Sequence, residues 1–110
     1  MEGFIKGDIV VIPFPFSDLS NTKRRPALVL ASTTQNDLIL CQITSQFNFD
    51  TFSVEITEDQ VIGGILAKKS YIRPNKLFTA DQKLILYKIA SVDKSTQKQV
   101  VDKVIKLISN

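Results

Sequence analysis

Three consecutive cations, Lys23-Arg24-Arg25, run straight into Pro26 and the apolar stretch Ala27-Leu28-Val29-Leu30. The residue before a proline is pushed towards extended backbone, so Arg25 is held rigidly at the entry to a buried strand. A guanidinium fixed in this way offers paired N–H donors to a phosphate. Lys23 and Arg24 carry the same charge without that constraint, and a solvated charge run is the plain reading of both. A second group, Cys41-Gln42-Ile43-Thr44-Ser45-Gln46, closes another apolar run and supplies a hydroxyl at Thr44. The third is Tyr71-Ile72-Arg73-Pro74-Asn75, where an arginine again precedes a proline. With Lys68, Lys69 and Lys76 it makes residues 68 to 76 the densest basic stretch after the first. An electropositive groove and a scattered basic surface are both compatible with such a distribution.

The elements that must hold these groups are short strands. Val10-Val11-Ile12 and Ala27–Leu30 flank the stretch from Pro13 to Arg25, which reads as a long loop because Pro13 and Pro15 cannot donate to a sheet ladder. Long loops in small domains are uncommon and are usually functional or disordered. Phe14 and Phe16, set between those prolines, are suited to pinning it to the core. "PALVLAS" and "LILCQIT", separated by the polar turn "STTQND", read as a hairpin over residues 27 to 44. On that pairing Arg25, at the start of one strand, lies near Thr44, at the end of the other, and a cation meets a hydroxyl at one mouth of the sheet. "TFSVEI" alternates as a shorter strand, Gly63-Gly64 implies a turn, "SYIRPNKLFT" is extended and broken by Pro74, "DQKLI" makes a helical turn, and a last strand follows near "LYKIAS". Then the period changes: Val100, Val101, Val104, Ile105 and Ile108 fall on one face of a helix, which Asp93 or Ser95 can cap. Five or six short strands and one helix predict a mainly β chain with a C-terminal helix, folded as a small, strongly bent SH3-like barrel.

Composition narrows the chemistry. The chain has 110 residues, enough for a single domain over its whole length, with 44% hydrophobic and 23% charged residues. A net charge of +3 and a pI near 9.1 lean weakly towards an anionic partner. Histidine is absent, so acid–base work would fall to Asp, Glu, Lys, Arg, Tyr or Ser/Thr. With one cysteine, a zinc site is not expected, and neither a metal nor another cofactor is implied. Cys41 lies inside "LILCQI", where a small buried hydrophobe is the plain reading; a lone cysteine suits a reducing cytoplasm. No apolar run has the length to cross a bilayer, and Met1-Glu2-Gly3-Phe4 is unlike a signal peptide, so no membrane association is expected.

"GDIVVIPFPFSDLSNTKRRPALVLAS" resembles the N-terminal signature of the PemK/MazF-like toxins of bacterial type II toxin–antitoxin systems. "ITSQ" at 43–46 is similar to that family's second motif, and "SYIRPNKLFTAD" at 70–81 with the following helix to its third. The resemblance covers nearly the whole chain in order. It implies the PemK/MazF/CcdB-like barrel, a homodimer, and a small acidic antitoxin as partner, with which the toxin would bind DNA. It also implies a metal-independent endoribonuclease that cuts single-stranded RNA, typically messenger RNA, at short motifs. The 2′-hydroxyl would attack its own phosphate, leaving a 2′,3′-cyclic phosphate and a 5′-hydroxyl.

The family's catalytic arginine carries over to Arg25, for phosphate charge and proton shuttling, and its threonine to Thr44, as a hydrogen-bonding partner of the phosphate or the attacking hydroxyl. Substrate contacts would fall to Phe16, Ser17, Asp18, Lys23, Arg24, Ser45, Gln46, Arg73 and Asn75, with aromatics and cations gripping splayed bases and phosphates. Two departures bear on the general base. Some relatives have an acid where this chain has Asn75, and some a histidine in the first loop, where this chain has none; Asp18 is the remaining loop carboxylate. A gyrase-poisoning toxin of the CcdB kind stands as an alternative, against which the absence of tryptophan argues. A catalytically inactive barrel that binds nucleic acid or a partner is the other.

Overall fold

The computed structural model describes residues 3–14, 23–33, 36–46 and 51–109. Among these residues seven strands, β1 (Asp8–Phe14), β2 (Lys23–Ser32), β3 (Asp37–Thr44), β4 (Val54–Ile56), β5 (Val61–Ile62), β6 (Ser70–Asp81) and β7 (Tyr87–Val92), are followed by one helix, α1 (Lys94–Ile108). Every pair is antiparallel, and the order β4-β6-β3-β2-β1-β7-β5 curls into a nearly closed barrel. Short 3-10 turns, Glu58–Gln60 and Gln82–Leu84, lead into β5 and towards β7.

The two central strands are apolar on both sides because both sides are covered. Alternation sends Ile9 and Leu28 inward with Cys41, Ile43, Val54, Ile56, Ile72 and Val92, and Val100 of α1 closes this interior. Val10, Ile12, Ala27, Val29, Leu38 and Leu40 face the other way and form a second cluster, against which Phe4, Phe78 and Ile85 pack. Each fully buried Ile, Leu or Val contributes about 1.5–3 kcal/mol. Cys41 belongs to the interior; burial pushes its thiol up to about 12, so it packs as a hydrophobe.

The Gly7-Asp8 pair ties three strands together. Gly7, at φ +97°, turns the chain so that its N–H donates to Val29 O at 2.8 Å while its carbonyl accepts from Val92 N–H at 2.9 Å. The buried Asp8 carboxylate accepts from Ile5 N–H at 3.0 Å and Ser91 Oγ at 2.9 Å, and pairs with Lys88 Nζ at 3.2 Å. A buried carboxylate with this many donors is satisfied rather than strained. At the helix, Asp93 is the cap: its side chain accepts from Thr96 N–H at 2.8 Å, an interaction worth about 1 kcal/mol.

The barrel, the 27–44 hairpin and the capped helix match the sequence reading, and three details differ. The expected loop from Pro13 to Arg25 is shorter, because β1 runs on to Phe14 and β2 begins at Lys23, with Pro13 opposite Arg24 and Phe14 opposite Lys23. Pro13 is tolerated because β7 pairs with β1 only from Asp8 to Val11, so the missing N–H costs no ladder bond on that side. Pro74 likewise bends β6 without ending it: register with β3 jumps from Arg73 opposite Gln42 to Leu77 opposite Cys41. Gly63-Gly64 is the expected bend, but Val61 and Ile62 just before it form a further short strand against β7.

Candidate functional site

Register places the sequence-predicted residues. Ala27, Leu28 and Val29 of β2 stand opposite Gln42, Cys41 and Leu40 of β3. That ladder ends at Ala27 opposite Gln42, and Arg25 and Thr44 each lie two residues beyond it, at the same end of neighbouring strands. Arg25 also faces Ile12 across β1, Thr44 faces Tyr71 of β6, and Tyr71 faces Glu55 of β4. Thr44, Tyr71 and Glu55 thus form one row across β3, β6 and β4, and Arg25 lies near its β2 end, beyond the last β2–β3 pair. A second pair, Gln42 opposite Arg73, lies beside it.

All of these share one face. Ile43, Ile72, Val54 and Ile56 are buried in the barrel interior, so their neighbours Thr44, Tyr71, Arg73 and Glu55 point the other way. Arg25 alternates with Ala27 and Val29 on that same outer side. The outer face is therefore apolar at one end, over Val10, Val29, Leu38 and Leu40, and polar at the other. The change comes where β2 and β3 reach the Lys23 and Thr44 ends, and it produces a polar strip bordered by apolar side chains.

Individual environments fit a phosphate-binding strip. Arg25 is exposed and makes no ion pair among the described residues, so its charge there is not neutralised. Thr44 is half-buried, and its Oγ1 accepts from Gln46 N–H at 3.1 Å. That turn leaves the hydroxyl's own O–H to donate outward. Arg73 is half-buried, with its Nε out of contact with water. Glu55 pairs with Lys69 at 3.5 Å between exposed side chains, a weak interaction that holds neither firmly.

The other predicted residues fall less centrally. Lys23 shares the outer face with Arg25 by alternation, while Arg24 between them points to the opposite face; both are exposed. Ser45 and Gln46 are exposed just beyond β3. Asn75 is exposed within the three residues that slip out of register on β6, off the row. Phe16, Ser17 and Asp18 lie outside the described residues, as does the Phe14 side chain. Sequence reading passes over Gln42 and Tyr71, although the signal was there: each stands two residues before a chosen one, Thr44 and Arg73, and strand alternation puts such pairs on one face. An apolar cleft of about 330 Å³ lies elsewhere, between α1 and the sheet, lined by Leu30, Ile39, Leu77, Val104 and Ile105 among others. It offers little to a phosphodiester.

The family model for "PemK-like, MazF-like toxin of type II toxin-antitoxin system" matches residues 5–108. The chain belongs to this family of toxins. Solved structures agree on the fold of the PemK/MazF-like chain. It is 19% identical to MazF from Deinococcus radiodurans over the whole of both chains, with a TM-score of 0.76. A MazE–MazF complex from the same organism matches at 18% identity, 98% of each chain and a TM-score of 0.80. An endoribonuclease in complex with its cognate antitoxin, from Mycobacterial species, matches at 12% identity over 99% of this chain and 96% of that one, with a TM-score of 0.73. A comparison with curated proteins found no match. Among the described residues of this PemK/MazF-like toxin, no helix is long and apolar enough to cross a membrane.

Proposed function

We propose that this toxin is a metal-independent endoribonuclease acting on single-stranded RNA, with Arg25 and Thr44 at its centre. The observation that carries the reading is their placement: a guanidinium that makes no ion pair among the described residues and a hydroxyl that accepts from Gln46 N–H, on adjacent strands and one face, with Arg73 beside them. In-line attack by a 2′-hydroxyl crowds negative charge onto the phosphate's nonbridging oxygens. Arg25 opposes that charge with two parallel N–H donors, and Thr44 donates to a nonbridging oxygen. Arg73 and Lys23 hold flanking phosphates, while Gln42, Gln46 and Ser45 offer hydrogen-bonding groups to splayed bases. Phe16, Ser17, Asp18 and Asn75 belong to the same substrate surface in this reading. An acidic antitoxin would compete for the same cations. The structurally similar endoribonuclease in complex with its cognate antitoxin gives that partnership a precedent.

The test is direct. Purified protein is incubated with a long single-stranded RNA in EDTA, and the new 5′ ends are mapped. Discrete cuts ending in 5′-hydroxyls are expected; intact RNA with folded protein would leave a binding-only barrel in place of the enzyme. We also propose an isologous homodimer, as two-fold pairing is the commonest assembly of small soluble proteins. Light scattering at micromolar concentration should give twice the 12.3 kDa chain mass, and the mass of one chain would refute it.

A further inference from the structure

We propose that Gln42 reads an adenine base flanking the phosphate that is cut; the assignment rests on the ribonuclease reading above and gives that site its base preference. Gln42 lies on β3 between Cys41 and Ile43, both buried in the barrel interior. Alternation therefore turns it to the outer face, which carries Thr44 two residues further on. Two strand residues span about 6.5–7 Å. Across the sheet Gln42 stands opposite Ala27 on one side and Arg73 on the other, and Ala27 contributes only a methyl group.

The outer face changes character at this point. Ala27, Val29 and Leu40 are buried in its apolar cluster, whereas Thr44 and Arg25 begin the polar strip. A base has the same division, with apolar ring faces and a polar edge, so a boundary of this kind suits one splayed from single-stranded RNA. The carboxamide is also unclaimed. Gln42 is half-buried, its side chain makes no hydrogen bond among the described residues, and neither of its polar atoms is sealed from solvent. An amide that has shed part of its hydration without gaining a partner is unfavourable in the free protein, and a ligand that bonds both of its ends removes that penalty. Ladders to β2 and β6 hold the Gln42 backbone, so only its side chain has to be ordered on binding. Ser45 and Gln46 lie beyond the end of β3 and lack this support.

The amide selects the base. A carboxamide offers one acceptor and one donor side by side. Adenine presents a matching pair on its Watson–Crick edge, N6–H with N1, and again on its Hoogsteen edge, N6–H with N7. Cytosine, uracil and guanine match on the Watson–Crick edge but not on the Hoogsteen edge. Gln42 thus pairs with adenine in either orientation of the base, and glutamine bidentate to adenine is a favoured geometry in nucleic-acid recognition.

Cut sites are first mapped in a random-sequence RNA pool, where adenine is expected at one position adjoining the cut. On a short RNA holding that site, the adenosine is then replaced by purine riboside, which lacks only the 6-amino group. The parent is expected to lose about 10-fold in kcat/KM, the scale of one good base contact. Gln42→Met keeps the length of the side chain without its amide, and is expected to cut the two RNAs at equal rates. Absence of an adenine preference beside the cut, or equal cleavage of the two RNAs by the parent, overturns the assignment without recourse to a variant. Gln42→Met that still discriminates, or that cuts neither RNA, also overturns it, because the base is then read by another group or Gln42 serves the chemistry or the fold. In each of these cases the ribonuclease reading stands. Failure of the parent to cut any RNA in the pool would overturn both.

Discussion

Arg25→Ala is expected to lower the single-turnover rate of RNA cleavage by about 10²–10³-fold, the scale of loss when one preorganised donor is taken from a site that stabilises developing charge. The fold should not notice. Arg25 is exposed, its strand position is kept by Ile12 opposite it and Pro26 after it, and surface changes of this kind usually stay within about 0.5 kcal/mol. Arg25→Lys separates the two parts of the guanidinium's work. It keeps the charge and loses the planar fork, so an intermediate rate is expected. Thr44→Ala removes both an outward donor and the acceptor for Gln46 N–H, so it should also loosen the turn after β3; Thr44→Ser restores both. Cleavage by Arg25→Ala at the parental rate, with the same cut sites, would sink the central assignment. Loss of cleavage with an unchanged thermal midpoint would place the effect in the chemistry rather than the fold.

Much of this site was legible because the residues concerned sit at the ends of neighbouring strands. The hairpin of β2 and β3 is local, so "PALVLAS" and "LILCQIT" read directly as the ladder of Ala27–Ser32 against Leu38–Gln42, and Arg25 and Thr44 lie just beyond its last pair. Tyr71 and Glu55 escaped for the opposite reason. They reach the row through β6, whose pairing with β3 carries a jump in register at Pro74 that no local pattern announces, and through β4, which pairs with β6. A slip of one residue there would have turned Tyr71 inward and Ile72 outward, and burying Ile72 in the core is what forbids it. The loop reads as overlong because Pro13 looks like the end of a strand. A proline ends a central strand only if both of its edges are paired, and β7 leaves that edge of β1 before Pro13. The family resemblance added the reaction class, which residue types and spacing had left open between a basic groove and a scattered surface.

The two adjacent glycines after β5 should respond very differently to the same substitution. Gly63 adopts φ +77°, and a β-carbon there would meet nothing within 4 Å. Gly63→Ala is therefore a backbone penalty alone, about 1 kcal/mol for an L-residue in the left-handed region. Asparagine tolerates that region, so Gly63→Asn should cost less. Gly64 has an ordinary φ, yet a β-carbon on it would overlap the carbonyl oxygen of Ile89 and press to 2.9 Å from Ala90 Cβ. These are main-chain and fully buried atoms of β7, so neither can swing aside as a surface side chain would. Gly64→Ala is expected to cost about 3 kcal/mol, the upper end of overpacking, measured as a fall in the urea midpoint at unchanged m-value. Equal destabilisation by the two alanines would mean that the chain after β5 does not lie flush on β7. The proposed site offers a second check, because its residues lie on β2, β3, β6 and β4 whereas Gly64 leans on β7, at the other end of the sheet. Under conditions where Gly64→Ala remains folded, its cleavage rate per folded molecule should equal the parent's. A rate that fell with stability would show that the barrel transmits the strain across the sheet to Arg25.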